Sequence, residues 1–138
     1  MLKIGVIGCG AIGRDHIRRL TDLVPGCEVV ACADYFKAAA DAVAEQYGIT
    51  AYETGEALIA APEVEAVVIT SSDPSHAGYV LEALKYEKFV FCEKPLAQTG
   101  PSAWDGYAAC VAADALNASR GTGLFKKIEM IEKPALYK

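Results

Sequence analysis

Three glycines at fixed spacing are the first residues that point to a chemistry. Gly8, Gly10 and Gly13 spell G-x-G-x-x-G, with Cys9, Ala11 and Ile12 between them. The triplet follows the short apolar run "LKIGVIG" and opens a helical pattern, the context in which such glycines cradle a pyrophosphate. Gly8 allows a tight turn, Gly10 lets backbone approach the phosphates, and Gly13 lets the helix lie close to the strand. Ala11 and Ile12 begin a helix whose free N–H groups and partial positive charge favour an anion. Asp34 closes a second apolar run 21 residues after Gly13. A carboxylate there accepts hydrogen bonds from a ribose diol and repels a 2′-phosphate, which favours NAD over NADP. Arg14 and Lys37 are nearby cations that weaken this preference and leave NADP possible.

Two further stretches carry polar groups at strand ends. "SSDPSHAGYV" (71–80) offers the Ser71 and Ser72 hydroxyls, with Pro74 suited to a first helical turn and His76 just inside the helix. A helix N-terminus disfavours imidazolium, so a neutral ring is expected at His76. Alone, such a histidine reads as a capping or packing residue. "FVFCEKPLA" (89–97) reads as a buried strand that meets Glu93, Lys94 and Pro95 at its end. A lysine beside a reacting hydroxyl donates a hydrogen bond or stabilises a developing alkoxide. Glu93 would orient that lysine or hold the ribose; the bland alternative is a surface ion pair of little energetic weight.

The elements that must position these residues follow from the alternation of apolar patterns. Strands are expected over 2–8, 27–34, 50–52, 64–72 and 88–94. Helices are expected over 11–23, 36–47, 54–61 and 75–86, with a last helix capped by Ser102 and running to about residue 117. Ile12, His16, Ile17, Leu20 and Leu23 define the inner face of the first helix, Val80, Leu81 and Leu84 that of the fourth, and Gly48 closes the second. Strands alternating with helices imply parallel pairing and right-handed crossovers. The fold class is α/β, a doubly wound parallel sheet of Rossmann type, with ligands bound beyond the carboxyl ends of its strands.

Composition bounds the function. The chain has 138 residues, 53% hydrophobic and 22% charged, as in globular proteins. A net charge of −5 opposes a nucleic-acid-binding role. No apolar run approaches the roughly 20 residues of a membrane span, and the N-terminus lacks a signal-peptide pattern. Five cysteines without a C-x-x-C pair read as buried free thiols in a reducing cytoplasm. Two histidines far apart offer no metal-ligand set.

In order and spacing, "GVIGCGAIGRDHIRRL", Asp34 and "DPSHAGYVLEALKYEKFVFCEKPLA" resemble the cofactor-binding half of the glucose–fructose oxidoreductase and inositol dehydrogenase family (Gfo/Idh/MocA). "VFCEKPLA" and the opening "MLKIGVIG" are most similar to its bacterial inositol 2-dehydrogenases. The resemblance implies NAD(P)-dependent oxidation of a sugar or polyol hydroxyl, with hydride passing to nicotinamide. It implies that Lys94 assists at the substrate hydroxyl and that His76 lies beside the nicotinamide. Residues 1–118 are expected to form the cofactor domain and 119–138 a divergent tail. On this reading the family's second α/β domain, which supplies the polyol pocket and a proton-transfer histidine, is missing. Leu124, Phe125, Ile128 and Ile131 would share a helical face that covers a sheet edge or pairs with a second copy. The alternative function is a non-catalytic nucleotide-binding or sensing module.

Overall fold

The computed structural model describes residues 1–96; the expected helix from Ser102 and the 119–138 tail lie outside the described residues. Nine elements alternate: β1 (Leu2–Ile7), α1 (Ala11–Asp22), β2 (Cys27–Ala33), α2 (Lys37–Tyr47), β3 (Thr50–Tyr52), α3 (Gly55–Ala60), β4 (Ala66–Ile69), α4 (Asp73–Lys85) and β5 (Phe89–Cys92). All strand pairs are parallel, in the order β3-β2-β1-β4-β5. From β1 the chain winds outward to β3, then crosses through α3 to β4 on the other side of β1. The loops leaving β1 and β4 therefore diverge, and a crevice opens between them at the carboxyl edge.

Alternating strand residues feed two cores. Ile4, Val6, Val29 and Val68 pack with Ile17 of α1 and Val43 of α2 on one face. Val67, Ile69 and Ala31 pack with Leu58 and Ile59 of α3 and Ala83 of α4 on the other. Such burial removes about 25 cal/mol of apolar cost per Å² from water. Local signals end the elements: Gly48 caps α2 in the left-handed region (φ +67°), and the Thr54 hydroxyl accepts the Ala57 N–H at the start of α3.

Several expected details differ. β4 and β5 are shorter than the apolar runs that announce them, because the residues beyond leave the ladder to form the edge loops. β5 is not buried: Phe89 and Phe91 are more than half exposed. Among the described residues β5 pairs only with β4, and His16 of α1 meets Phe91 edge-on at 5.3 Å. In α1, Gly13 and Ile17 are the buried residues, while Ile12 and Leu23 face solvent. In α4 the inward side is His76 and Ala83, with Tyr79 and Val80 partly buried; Leu81 and Leu84 point outward. His76 and the small Ala83, rather than the leucines, set that rotation. The four described cysteines are free, but only Cys9 and Cys32 are buried. Cys27 opens β2 and Cys92 closes the edge strand, and both are part-exposed.

Among the described glycines the tightest site lies between α1 and the loop before it. A Cβ on Gly13 would stand 1.8 Å from the Gly8 carbonyl oxygen, and one on Gly8 (φ +102°) would stand 2.6 Å from Thr70 and Ser71 backbone atoms. Backbone cannot give way as a flexible side chain does. Gly13→Ala is therefore expected to cost about 1–3 kcal/mol of stability, the usual range for overpacking. Urea denaturation measures this; an unchanged midpoint would contradict the packing described.

Candidate functional site

The glycine loop is tied to β2 by one carboxylate. Asp34 Oδ2 accepts the Cys9 N–H (2.6 Å) and Oδ1 accepts the Phe36 N–H (2.8 Å). Gly8 N–H continues the β1–β2 ladder to the Ala33 carbonyl. Gly10 precedes α1 and no side chain caps the helix, so the N–H groups of its first turn keep no intrahelical acceptor. A Cβ on Gly10 would meet nothing within 4 Å. The loop is thus closed toward the protein at Gly8 and Gly13 and open outward at Gly10, beside unused donors. Arg14 Nε donates to the Cys9 carbonyl. The Cys9 thiol donates to the Ala33 carbonyl at 3.7 Å, and the neighbouring Cys32 thiol and burial raise its pKa far above the usual thiol range. It stays protonated and serves packing.

The end of β4 forms the other lip of the crevice. Thr70 Oγ1 lies within hydrogen-bond distance of the Ile7 and Gly8 carbonyls (3.1 and 2.9 Å), binding β4 to the start of the glycine loop. Ser75 donates its hydroxyl to the Ser72 carbonyl (2.7 Å), so Ser71 donates to Ser75 (2.6 Å). Ser71 Oγ keeps its lone pairs for a ligand. Ser72 is the residue preceding α4, and its hydroxyl makes no cap.

The β5 end is held differently from the sequence expectation. Glu93 Oε1 lies 2.9 Å from His16 Nε2, and Oε2 accepts the Lys94 backbone N–H at 3.3 Å. The glutamate is thus engaged by α1 and by backbone; among the described residues no ion pair involves the Lys94 ammonium. The Lys94–Pro95 bond is cis. His76 is almost fully buried, with Nε2 2.9 Å from the Ser71 carbonyl and Nδ1 2.8 Å from the Pro95 carbonyl. His76 clamps the segment after β5 to the β4–α4 junction.

A cleft of about 880 Å³ opens at this edge, within the size range of small-molecule sites. Gly8, Gly10, Asp34, Ser71 and Ser72 line it. His76, Glu93, Lys94 and Pro95 stand behind its β4 lip and do not line it. The sequence reading missed Ser75, Tyr35, Phe36 and Tyr79, which also line it, and His16, which holds Glu93. The aromatic pair directly after Asp34 was the one local signal available. Open space at Gly10, free helix N–H groups and a carboxylate one strand away together have the chemistry a dinucleotide requires: donors suited to phosphates and an acceptor suited to a diol.

The fold and this edge define a dinucleotide-binding protein of the doubly wound class. Residues 2–118 match the family described as Oxidoreductase family, NAD-binding Rossmann fold (GFO_IDH_MocA). The chain belongs to that family. It is 50% identical over 121 residues to an inositol 2-dehydrogenase of Ralstonia nicotianae, covering 86% of this chain and 35% of that protein. With an inositol 2-dehydrogenase of Pseudomonas savastanoi pv. phaseolicola it shares 55% identity over 100 residues, 71% of this chain and 30% of the relative. The crystal structure of myo-inositol dehydrogenase from Lactobacillus casei in complex with NAD(H) and myo-inositol superposes with a TM-score of 0.70. Identity there is 34%, over 96% of this chain and 36% of the other. The chain thus spans about a third of the length of the curated relatives it matches.

The Glu93 carboxyl titrates below the usual range, chiefly through its bond to His16 and then the Lys94 N–H. A lowered folded value means that its contribution to stability is present above the ordinary glutamate pKa. It is lost as pH falls through the lower folded value. Glu93→Gln is expected to be less stable than the parent at pH 7, with the gap closing below about pH 4. Parallel urea melts at pH 7 and pH 3 measure this, and a gap that widens in acid would contradict it.

Proposed function

We propose that this chain is the cofactor-binding part of an NAD-dependent dehydrogenase that oxidises a secondary hydroxyl of a polyol or sugar, of the inositol 2-dehydrogenase type. One observation carries the reading: the open Gly10 position and the Asp34 carboxylate line one cleft, and the unused N–H groups of α1 follow directly on Gly10. The names of the relatives supply the substrate class.

Bound NAD would supply the hydride acceptor. The N–H groups of Ala11, Ile12 and Gly13 would hold its pyrophosphate, with Gly10 giving the phosphates room. Asp34 spends one lone pair of each oxygen on backbone and keeps the others for the ribose hydroxyls. A 2′-phosphate would be repelled by this anion, and of the two nearby cations Lys37 is engaged by Asp41 and Glu53, while Arg14 spends its Nε on the Cys9 carbonyl. That supports NAD over NADP. Ser71 and Ser72 present hydroxyls at the β4 lip. Lys94, with its ammonium unclaimed by a carboxylate among the described residues, would donate to the substrate hydroxyl oxygen and stabilise it as the proton leaves. Glu93, Pro95 and His76 would position Lys94 through the contacts above. The described residues offer no enclosure for a polyol, so this reading assigns them the cofactor half alone. Among them, no helix is long and apolar enough to cross a membrane.

Calorimetric titration tests the reading. NAD is expected to bind at least about tenfold more tightly than NADP, a difference of about 1.4 kcal/mol. Gly10→Val should keep the melting temperature and lose most NAD affinity, since its side chain enters only open space. Tighter NADP binding overturns the NAD assignment, and undiminished NAD affinity in Gly10→Val overturns the phosphate site.

A further inference from the structure

We infer that His16 is a positioning residue for Lys94: by holding the Glu93 carboxylate against α1, it keeps that carboxylate from capturing the Lys94 ammonium. This rests on the role proposed above for Lys94 and adds to it what leaves the ammonium available to a substrate. Glu93 and Lys94 are neighbours in the chain, and an ionised carboxylate has acceptor sites to spare. Glu93 Oε2 already accepts the Lys94 backbone N–H at 3.3 Å, so the group leans toward residue 94. Oε1 draws it the other way, 2.9 Å from His16 Nε2, and the shorter bond goes to α1. The Lys94 charge helps to hold the Glu93 carboxyl below its usual range, but far behind the His16 bond. Lys94 is thus near enough to be felt by Glu93, yet among the described residues the two form no ion pair.

Two elements build this hold. Alternation along β5 carries Phe91 and Glu93 to the same side, toward α1. The Glu93 N–H still continues the ladder to the Ile69 carbonyl. The Phe91 ring meets the His16 ring edge-on at 5.3 Å and fixes its orientation. On α1, His16 follows Gly13 by three residues, so the glycine that lets the helix lie close also sets the reach of His16. The side chains of His16 and Glu93 are 24% and 31% exposed. A pair so placed adds little stability, and its consequence lies in which group the carboxylate engages. His76 separately anchors the Pro95 carbonyl at 2.8 Å, so loss of His16 releases a side chain rather than the segment. A lysine ammonium has three donors. Bound to Glu93 it would spend a donor and have its charge offset, where a hydroxyl losing its proton needs both.

Trace acetylation of the whole 138-residue chain with acetic anhydride, read for each lysine by mass spectrometry against Lys3, tests this. At about pH 8, below the ordinary lysine pKa, only the neutral amine reacts, so capture by a carboxylate slows labelling. His16→Ala and His16→Phe should each slow Lys94 labelling about threefold, an effect of the size an exposed ion pair provides. His16→Phe keeps a ring against Phe91 and removes the donor. His16→Gln, whose amide donates to Glu93, should stay within about 1.5-fold of the parent. Adding Glu93→Gln to His16→Ala should restore the parent rate, because the competing carboxylate is gone. Loss of packing alone would speed labelling and would not respond to Glu93. Parent-rate or faster labelling in His16→Ala and His16→Phe overturns the inference, as does a slowing that Glu93→Gln leaves in place. The labelling uses no cofactor. If the parent fails to bind NAD while the labelling pattern holds, the cofactor reading fails and the hold of His16 on Glu93 stands.

Discussion

The Asp34 carboxylate joins the parts on which the edge depends. Its two oxygens hold a backbone N–H from the glycine loop and one from the turn into α2. A charged acceptor of this kind makes hydrogen bonds about twice as strong as neutral ones. The loop after β1 and the loop after β2 therefore have one fixed relation. A ligand approaching the open side of Gly10 meets donors from α1 and spare lone pairs from Asp34 together. These two bonds orient the carboxylate before anything binds, so the proposed ribose contact would need little further ordering.

Steric closure completes what that bond begins. The absent side chains of Gly8 and Gly13 let the loop, α1 and the start of the β4 lip occupy a space that a single Cβ would break. Thr70 adds a hydroxyl to the carbonyls of Ile7 and Gly8, binding both lips of the crevice at its floor. Further along the edge, His16 holds Glu93, and His76 spans from Ser71 to Pro95. The segment bearing Lys94 is thus tied to α1 on one side and α4 on the other. Two histidines hold the residues on either side of Lys94: His16 holds Glu93, which also accepts the Lys94 N–H, and His76 holds the Pro95 carbonyl.

Local pattern sufficed for what depends on local geometry. The alternation of strands and helices, the turn at Gly8 and the stop at Gly48 are set by neighbouring residues, and each stands where its spacing indicates. Features set by distant packing were not legible. The pair His16–Glu93 joins residues 77 positions apart, and adjacency in sequence suggested Lys94 as the partner instead. "FVFC" has the composition of a covered strand, but coverage depends on neighbours beyond itself, and β5 has one among the described residues. In α4 the leucines suggested the inner face, whereas burial of His76 turned them outward.

The most direct test of a cofactor edge organised by Asp34 is an amide-resolved NMR titration of the whole chain with NAD. The account predicts the largest shift changes at Gly10 to Gly13, at Asp34 to Phe36 and at Ser71 and Ser72. Amides at the opposite sheet edge, such as Gly26 and Glu65, should stay fixed. Saturable changes concentrated at that opposite edge, or none at millimolar NAD, would contradict it.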